Sequence, residues 1–375
     1  MRKVAVLFGG KSCENEISVL TGVFVLNLID RTKYTPVPIY IHTDGGFYTS
    51  PGMNNLNAFK ELNLSNFDKI FFDGGSVYSL NQKRGRIKKL AKIDVAINCC
   101  HGGLGEGGGV SALVEWNGIP FASPDLTSSG VFMDKSVTKL VARALSVPTV
   151  DYIRVNETDY QRRGTFLLKT IKSRLKYPVI IKPAHLGSSI GITLAQNEEE
   201  VKKALDGAFT LDDRVIIEKY LQNKQDINCA AYALDGKIMI SEPEVAFGEG
   251  VYSFEEKYLN RGSDQTPPLS SKGAGRYALN GELREKIRAY TRTMYKRMGL
   301  QGVVRMDFLV SEGRAYLCEV NTVPGSLAYY LFCDRISDAK RFVSDLLEEA
   351  LRNGEEGRKN LVTMGILRSV KWKNK

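Results

Sequence analysis

The sequence predicts an α/β protein of two or three domains, the first of which contains a parallel sheet. Its 375 residues correspond to two or three domains at the usual size of roughly 100–200 residues each. An apolar strand at 4–8, a helix through about residue 28 and a second strand at 34–40 open the chain, an order typical of a parallel sheet. Apolar strands at 177–183 and a strand pair at 303–320, with amphipathic helical patterns between them, extend the α/β prediction to the rest of the chain.

Composition favours an ordinary soluble enzyme. Hydrophobic residues make up 43% of the chain and charged residues 25%, as in typical globular domains. The net charge of +10 is spread widely, and its densest stretches, 83–89 and 368–375, lack an RNA-binding signature, so we interpret them as a solvated loop and a solvated tail. We therefore expect no nucleic-acid partner.

Cysteine and apolar patterns predict a cytoplasmic location. The six cysteines show no C-x-x-C spacing and the chain has only three histidines, so we expect no zinc site. Most cysteines lie in apolar runs, which indicates buried thiols in a reducing compartment. The chain opens on a strand and not on a signal peptide, and no apolar run approaches the roughly 18 residues of a membrane span.

Two loops of the first domain carry candidate ligand groups. Glu14 and Glu16 follow a Gly-Gly turn at the start of the first helix, where they could receive an ammonium group or simply stabilise the helix dipole. The turn lacks the G-x-G-x-x-G spacing of dinucleotide-binding proteins. His101 and Glu106 lie in a glycine-rich loop after the strand at 94–98, the end of a parallel strand at which ligands bind. Residues 43–92 look like an irregular elaboration with short strands near 69–72.

The middle of the chain predicts an anion site. A helix is expected to start at 132–135. Lys182 ends an apolar strand and therefore requires an anionic partner. The glycine-bounded loop at 184–191 offers hydroxyl and N–H donors to phosphate, although it does not have the P-loop pattern. Residues 215–221 form a further strand that carries Glu218 and Lys219, and the polar stretch 247–271 is a long loop of the kind that is usually functional or disordered.

A hairpin at 303–320 carries the strongest chemical signal. If its strands pair symmetrically about the turn at 311–313, one face presents the side chains of Arg305, Asp307, Glu319 and Asn321. Two carboxylates and an amide oxygen are ligands that suit Mg²⁺, whereas the alternative is a solvent-facing edge with scattered charges. The rigid Pro-Gly loop at 321–325 favours the first interpretation, because it can bring backbone N–H groups to an anion.

Taken in order, these stretches resemble the D-alanine–D-alanine ligases of the ATP-grasp superfamily. The resemblance runs from residue 4 to about 331. Its markers are VAVLFGGKSCENEIS, HGGLGEGG, MDK, IKPAHLGSSIG, EKYL, EEKY, RMDF and EVNTVPG. Each marker is weak alone, but eight in family order form a specific signal.

The resemblance implies a three-domain ATP-grasp fold, in which a parallel-sheet N-terminal domain is followed by two α+β domains that clamp ATP. We expect a substrate-binding domain at 1–122, a central subdomain at 123–217 and a C-terminal subdomain at 218–375 that holds the magnesium site and a closing loop at about 247–271. The implied reaction phosphorylates the carboxylate of one D-alanine with ATP, and the amine of a second D-alanine then attacks the acyl phosphate. This reaction supplies a dipeptide for peptidoglycan precursor synthesis.

The resemblance also implies a role for individual residues. Asp307, Glu319 and Asn321 match ligands of Mg²⁺, with two ions expected and Mn²⁺ as a possible substitute. Arg305 and the N–H of Gly325 match the groups that stabilise the tetrahedral intermediate. Glu14 matches the acid that receives the ammonium of the first D-alanine, with His101 beside it. The residues that match nucleotide contacts are Lys135, Lys182, Ser189, Glu218, Lys219, Tyr220, Leu221, Asp226 and Lys257, of which Asp226 is one residue out of register with the ribose-binding acid of the family.

Loop closure is expected to involve a hydrogen-bonded trio. Glu106, Ser188 and Tyr258 match groups that bring the loop around Lys257 onto the site, which excludes water from the acyl phosphate.

Two departures from the family pattern bear on substrate choice. Gly107 replaces the acid that usually follows Glu106, and Tyr330-Leu331 stands where the family commonly has a Ser-Leu pair that holds the carboxylate of the second substrate. A phenol fills more of this pocket than a serine. The alternative function is therefore an ATP-grasp ligase with a different second substrate, D-serine or another amino acid. Tyr258 argues against D-lactate, since the resembling D-lactate ligases have histidine there.

Other functional classes are weaker. A non-catalytic ATP-binding relative is disfavoured because Lys182, Arg305 and the three metal-ligand positions are intact. The expected partners are D-alanine and ATP, and the family is commonly homodimeric.

Overall fold

The computed structural model describes residues 1–60, 62–81, 86–246, 279 and 281–356. In this part of the chain the strands form three sheets with helices packed against them, so the predicted α/β class is confirmed. The expected closing loop with Lys257 and Tyr258, and the basic tail, lie outside the described residues. None of the described helices has the length and apolar character needed to cross a membrane.

The first sheet has seven strands, all of them from the first hundred residues. They are β1 (Arg2–Gly9), β2 (Tyr34–Ile41), β3 (Phe47–Thr49), β4 (Asp68–Asp73), β5 (Ser76–Asn81), β6 (Arg86–Lys92) and β7 (Val95–Asn98), in the spatial order β6-β5-β4-β3-β2-β1-β7. β1 pairs in parallel with β2 and β7, which confirms the predicted parallel opening. Helices α1 (Asn15–Leu28), α2 (Asn57–Lys60) and α3 (Val110–Trp116) and the single turns Pro51–Asn54 and Leu64–Asn66 accompany this sheet.

The strand expected near 69–72 is confirmed as β4, but the prediction that the rest of 43–92 is irregular was wrong. β3 to β6 form an antiparallel extension of the sheet. The basic stretch that we interpreted as a loop largely lies in β6, because Ile87 and Ala91 supply apolar positions between its charged residues and pair with β5.

The second sheet is antiparallel. Its strands are β8 (Tyr152–Asn156), β9 (Val179–Pro183), β10 (Thr193–Ala195) and β11 (Arg214–Lys219), in the order β10-β9-β11-β8. Helices α6 (Glu157–Arg174) and α7 (Glu198–Phe209) bury its apolar face. Because β11 continues to Lys219, the expected boundary between residues 217 and 218 falls inside a strand.

The third sheet contains the hairpin that the sequence singled out. Its strands are β12 (Gln225–Leu234), β13 (Lys237–Ile240), β14 (Glu244–Val245), β15 (Val304–Ser311) and β16 (Arg314–Asn321), in the order β13-β12-β15-β16 with β14 paired to β12. Helix α8 (Gly281–Arg297) packs on this sheet, and α9 (Ile336–Glu356) packs between it and the first sheet.

The pairing of β15 with β16 differs from the symmetric pairing that we expected. The turn is a two-residue one, with Glu312 at φ 51° and Gly313 at φ 70°, so Ser311 pairs with Arg314. In that register Asp307 would face Cys318. A β-bulge at Cys318 shifts the ladder, so that Asp307 lies opposite Glu319 and Arg305 opposite Asn321. The bulge therefore puts the four polar side chains on one face, as the sequence predicted. The register that achieves this is not the one that the sequence predicted.

The helix expected to start at 132–135 is two helices. α4 (Leu126–Met133) ends before Asp134, and α5 (Lys135–Ala144) begins after it. Asp134 has extended backbone angles, and its side chain accepts the N–H groups of Ser136 and Val137. It is therefore the N-cap of α5, and this cap puts Lys135 in the first turn of the helix.

Candidate active site

Two lysines and one glutamate form a buried ionic cluster between the second and third sheets. The Glu218 carboxylate on β11 contacts the Lys182 ammonium on β9 at 2.7 Å and the Lys139 ammonium on α5 at 2.8 Å; the second contact is an ion pair whose alignment is poor for a hydrogen bond. Their exposures of 6%, 3% and 1% for Lys182, Glu218 and Lys139 leave almost no access to water. Burial raises the pKa of Glu218, but the two ammonium groups outweigh it and hold that pKa at about 2. The cluster therefore carries one positive charge in excess.

Lys135 joins the second sheet to the third. Its backbone N–H donates to Ala184 O (3.0 Å) and its ammonium to Leu186 O (2.6 Å), so both ends hold the loop after β9. The same ammonium lies 3.7 Å from the Glu319 carboxylate on β16. A cation thus lies between the predicted phosphate loop and the predicted metal ligands.

The bulge residue adds a further contact at this junction. The Cys318 thiol lies 3.7 Å from the Lys182 ammonium. The bulge therefore turns Cys318 toward the lysines while it keeps Glu319 on the face of Asp307.

The face of the β15–β16 hairpin collects the four polar residues predicted there. Arg305 binds Asp307 through two hydrogen bonds of 2.7 and 2.8 Å, and the Asn321 amide donates to the same carboxylate at 2.9 Å. Burial raises the pKa of Asp307, the Arg305 guanidinium opposes this, and the facing Glu319 adds to it. Two like charges and an amide oxygen on one partly buried face are a donor set that suits Mg²⁺, because a cation relieves the repulsion.

Glu14 links the first sheet to the phosphate loop. It lies at the start of α1, and the Ser188 hydroxyl from the loop after β9 donates to its carboxylate. A Cβ at Gly102 would lie 2.6 Å from Glu14 Oε2, and one at Gly187 would lie 2.8 Å from it. A side chain at either position would displace the Glu14 carboxylate, so the two glycines let both loops approach it where it lies. Among the described residues Ser188 thus contacts Glu14, while Tyr258 of the expected trio lies outside them, so the trio stays a prediction.

His101 and Glu106 occupy the loop after β7. His101 Nε2 lies 2.8 Å from the Thr21 hydroxyl, and burial lowers the pKa of His101 to about 4, with Arg305 acting in the same direction. Glu106 accepts the N–H groups of Gly102 (2.8 Å) and Val323 (3.4 Å). Burial raises the pKa of Glu106 to about 7, and its acidic neighbours act in the same direction. His101, with its pKa lowered to about 4, is neutral at pH 7.

Gly107, one of the two departures from the family pattern, lies in a crowded position. A Cβ there would lie 3.2 Å from Met133 Cγ. A side chain at this position would therefore require Met133 to shift by a few tenths of an ångström.

Tyr330 lies in a strained turn beside Arg305. The turn Gly325–Leu331 contains three consecutive non-glycine residues with left-handed backbone angles, Ser326, Leu327 and Ala328, at φ between 49° and 55°. The N–H of Ser326 donates to the Thr21 hydroxyl at 3.3 Å, and Arg305 donates to the Tyr330 hydroxyl at 3.2 Å. Leu331 ends the turn and packs on the core.

The remaining predicted nucleotide residues lie near these elements. Ser189 follows Ser188 in the phosphate loop, and Lys219 ends β11 with an exposed side chain. Tyr220 and Leu221 follow the strand and are partly buried. Asp226 lies on β12, where the Lys224 ammonium binds its carboxylate. Their roles stay predictions.

Sequence reasoning missed several members of the site. Lys139 follows Lys135 by one helical turn and looks like an ordinary surface lysine, although a buried Glu218 beside Lys182 could have indicated a second cation. Nothing in the alternation of strand residues identified Cys318 as a bulge. Thr21 lies on the apolar face of α1 and carries no pattern of its own.

Comparison with known proteins identifies the family of the chain. The family model described as D-ala D-ala ligase N-terminus matches residues 3–124, and the model described as D-ala D-ala ligase C-terminus matches 141–351. A D-alanine–D-alanine ligase from Thermosipho africanus is 33% identical over 339 residues, which cover 88% of each sequence.

Solved structures show the same fold. The D-alanine–D-alanine ligase from Helicobacter pylori superposes with a TM-score of 0.74 at 27% identity, covering 93% of this chain and 99% of its own. A D-Ala:D-Ser ligase from Enterococcus faecalis gives 0.71 at 24% identity over 94% and 99%, a likeness of fold alone. The expected ATP-grasp class of fold is confirmed by these neighbours. The chain belongs to the D-alanine–D-alanine ligase family.

Proposed function

We propose that this chain uses ATP and Mg²⁺ to activate the carboxylate of one D-alanine and joins it to the amine of a second. Membership of the family makes the chain an ATP-dependent ligase of D-alanine, so the proposal concerns how its own side chains perform the reaction. The observation that carries it is the position of Lys135, whose ammonium lies between the loop after β9 and the Glu319 carboxylate.

The phosphates are bound by the buried cationic cluster. Lys182 and Lys139 share one carboxylate, so the excess positive charge attracts an anion into a region with little water. Lys135 and the Ser188-Ser189 loop supply further donors on the same side. Positioning and charge stabilisation are the main requirements of phosphoryl transfer.

The hairpin would hold the metal. Asp307, Glu319 and Asn321 are the residues that would bind Mg²⁺, which supplies charge neutralisation to the phosphate oxygens when bound. Arg305 is held by Asp307 through two hydrogen bonds, so its guanidinium is fixed in orientation.

Bond formation proceeds in two steps. A carboxylate oxygen of the first D-alanine attacks the terminal phosphorus of ATP, and ADP leaves. The amine of the second D-alanine then attacks the acyl carbon, phosphate leaves with the C–O bonding pair, and the amine loses a proton. Glu14 receives the ammonium of the first substrate, while Arg305 and the Gly325 N–H stabilise the charge on the tetrahedral oxygen.

The experiment that tests the function is phosphate release with product identification. We expect release from ATP only when D-alanine and Mg²⁺ are both present, and D-alanyl-D-alanine as the product. L-alanine and chelated metal are the controls. Release that is independent of D-alanine, or no release at all, would refute the proposal.

Tyr330 favours a second candidate, in which the second substrate is D-serine or another amino acid. Its hydroxyl is tied to Arg305, so it occupies space beside the group that stabilises the tetrahedral oxygen. We expect Tyr330→Ser to change the preference among D-amino acids, measured as kcat/KM for the second substrate. Tyr330→Phe is the matched control, since it keeps the volume and removes only the hydroxyl. An unchanged preference in both variants would exclude Tyr330 as a determinant.

The setting of the reaction is also a proposal. We infer that the protein is cytoplasmic and forms a homodimer, as is common in the family. We also infer that Mn²⁺ can replace Mg²⁺ in the reaction. Light scattering on the purified chain tests the dimer.

We also propose that the junction between the second and third units follows Lys219, because β11 belongs to the second sheet.

A further inference from the structure

His185, in the loop after β9, is held by carboxylates on both sides of its ring. Its Nδ1 lies 2.9 Å from one oxygen of Asp212, and its backbone N–H donates to the other at 2.8 Å. Its Nε2 lies 3.6 Å from Asp134, an ion-pair distance longer than a hydrogen bond. Arg214 on β11 binds the same Asp134 carboxylate. Asp134 and Asp212 side chains are each 5% exposed, so the bridge is anchored on buried groups.

This bridge, formed by His185 with Asp134 and Asp212, is adjacent to Lys135. The two carbonyl groups that bind Lys135 belong to Ala184 and Leu186, the residues on either side of His185. Asp134, one end of the bridge, is the N-cap of the helix that begins with Lys135. The imidazole therefore connects the start of α5 to the loop that carries Ser188.

We propose that His185 is a positioning residue, which holds Lys135 and the Ser188-Ser189 loop in the positions that bind the phosphates of ATP. The inference rests on the proposed function, because it assumes that these groups bind nucleotide. His185 does not touch the nucleotide itself and acts through Lys135 and the loop. Its loss should therefore weaken nucleotide binding before it affects the chemical step.

The charged surroundings of His185 support a cationic imidazole. Asp134 and Asp212 raise the pKa of His185 to about 9, against partial opposition from burial. The other charged groups that face it are Asp213, whose carboxylate lies within 4.8 Å, and the Arg214 guanidinium at 3.5 Å from Nε2. Since the pKa is raised above its ordinary value near 6.5, the bridge contributes fully below that pH and is lost as the pH rises through about 9.

The test is calorimetric binding of a non-hydrolysable ATP analogue with Mg²⁺ between pH 7.5 and 10. We expect His185→Gln to weaken binding about 10-fold at pH 7.5. His185→Arg keeps a cation at every pH, so it should bind well at pH 7.5 and lose less affinity than the wild type above pH 9. The matched control is His42→Gln, because His42 also pairs with a carboxylate, Asp44 at 3.1 Å, but lies in the turn between β2 and β3 and not in the loop after β9.

The outcomes separate the inference from the function. Binding by His185→Gln equal to wild type, or identical pH profiles for wild type and His185→Arg, would overturn the inference. Absence of binding by the wild type would refute the proposed function instead. Thermal unfolding of each variant identifies a general folding defect, and in that case the comparison of His185→Arg with wild type alone decides.

Discussion

Glu218 neutralises only part of the charge that surrounds it. It lies between two ammonium groups in a region that water hardly reaches. A buried ion pair of this kind gains little over apolar packing, but removing one partner leaves charge without compensation. The cluster therefore acts mainly as a charged support for an anionic ligand.

We expect Glu218→Gln to lower the free energy of unfolding by about 3–5 kcal/mol, since it leaves two buried ammonium groups without a carboxylate. The measurement is urea unfolding followed by circular dichroism. The control is Glu348→Gln, which breaks the Lys33–Glu348 pair; its side chains are 54% and 47% exposed, and the expected cost is about 0–1 kcal/mol. Equal effects of the two substitutions would contradict our account of the cluster.

The residue types of the site were predictable, but their partners were not. The apolar run before Lys182 indicated that this lysine needs an anion. Its partner could not be identified, because Glu218 lies 36 residues away on a strand that becomes a neighbour only in the sheet. Lys139 was missed for the same reason, since the periodicity of one helix does not reveal what the helix packs against.

The hairpin β15–β16 illustrates the limit at the scale of an element. Alternation of side chains predicted the two strands and their polar face. Register depends on the turn and on any extra residue in the ladder. The two-residue turn alone would have placed Cys318 opposite Asp307, and the bulge at Cys318 corrected it. A bulge of one residue leaves no signal in the alternation on either side.

The left-handed turn Gly325–Leu331 is expected to lower the stability of the fold while it holds Tyr330 in position. A left-handed non-glycine residue costs roughly 1–2 kcal/mol, and glycine removes this cost at an entropic loss of about 0.5–1 kcal/mol. We therefore expect Ser326→Gly to raise the free energy of unfolding by up to about 1 kcal/mol. The KM for the second D-alanine should rise, because a more flexible turn holds Tyr330 less firmly.

The matched control for this prediction is Glu312→Gly in the hairpin turn. Glu312 has the same backbone angle, φ 51°, at an exposed position. It should gain similar stability with no change in KM. A raised KM in Glu312→Gly, or an unchanged one in Ser326→Gly, would argue against a positioning role for the turn.

At the scale of the whole molecule, all three sheets supply groups to one site. Glu14 comes from the first, Lys182 from the second and Asp307 from the third. Ser188–Glu14 and Lys135–Glu319 are two of the contacts that join them. The sequence predicted each unit from its own pattern, but these contacts between units follow from tertiary packing and had no local signal.

A ligand that bridges three units should stabilise the entire chain. At 100 times its dissociation constant, a ligand that binds only the folded state adds about 2.7 kcal/mol. We expect ATP with Mg²⁺ to raise the midpoint of thermal unfolding, and EDTA to remove most of this increase. In the Glu319→Gln variant, ATP with Mg²⁺ should raise the midpoint as little as it does for the wild type in EDTA. An increase that persists in EDTA would show that the hairpin carboxylates do not hold a metal needed for binding.

The outer strand of the first sheet has a consequence for behaviour in concentrated solution. β6 is the last strand in the sheet order, and the side chains of Arg86, Lys88 and Lys89 on it are exposed. An open strand edge can recruit a strand from another polypeptide, and repulsion between lysines on two such edges opposes this. The basic residues that we first interpreted as part of a solvated loop thus oppose pairing of this strand edge with a strand of another chain.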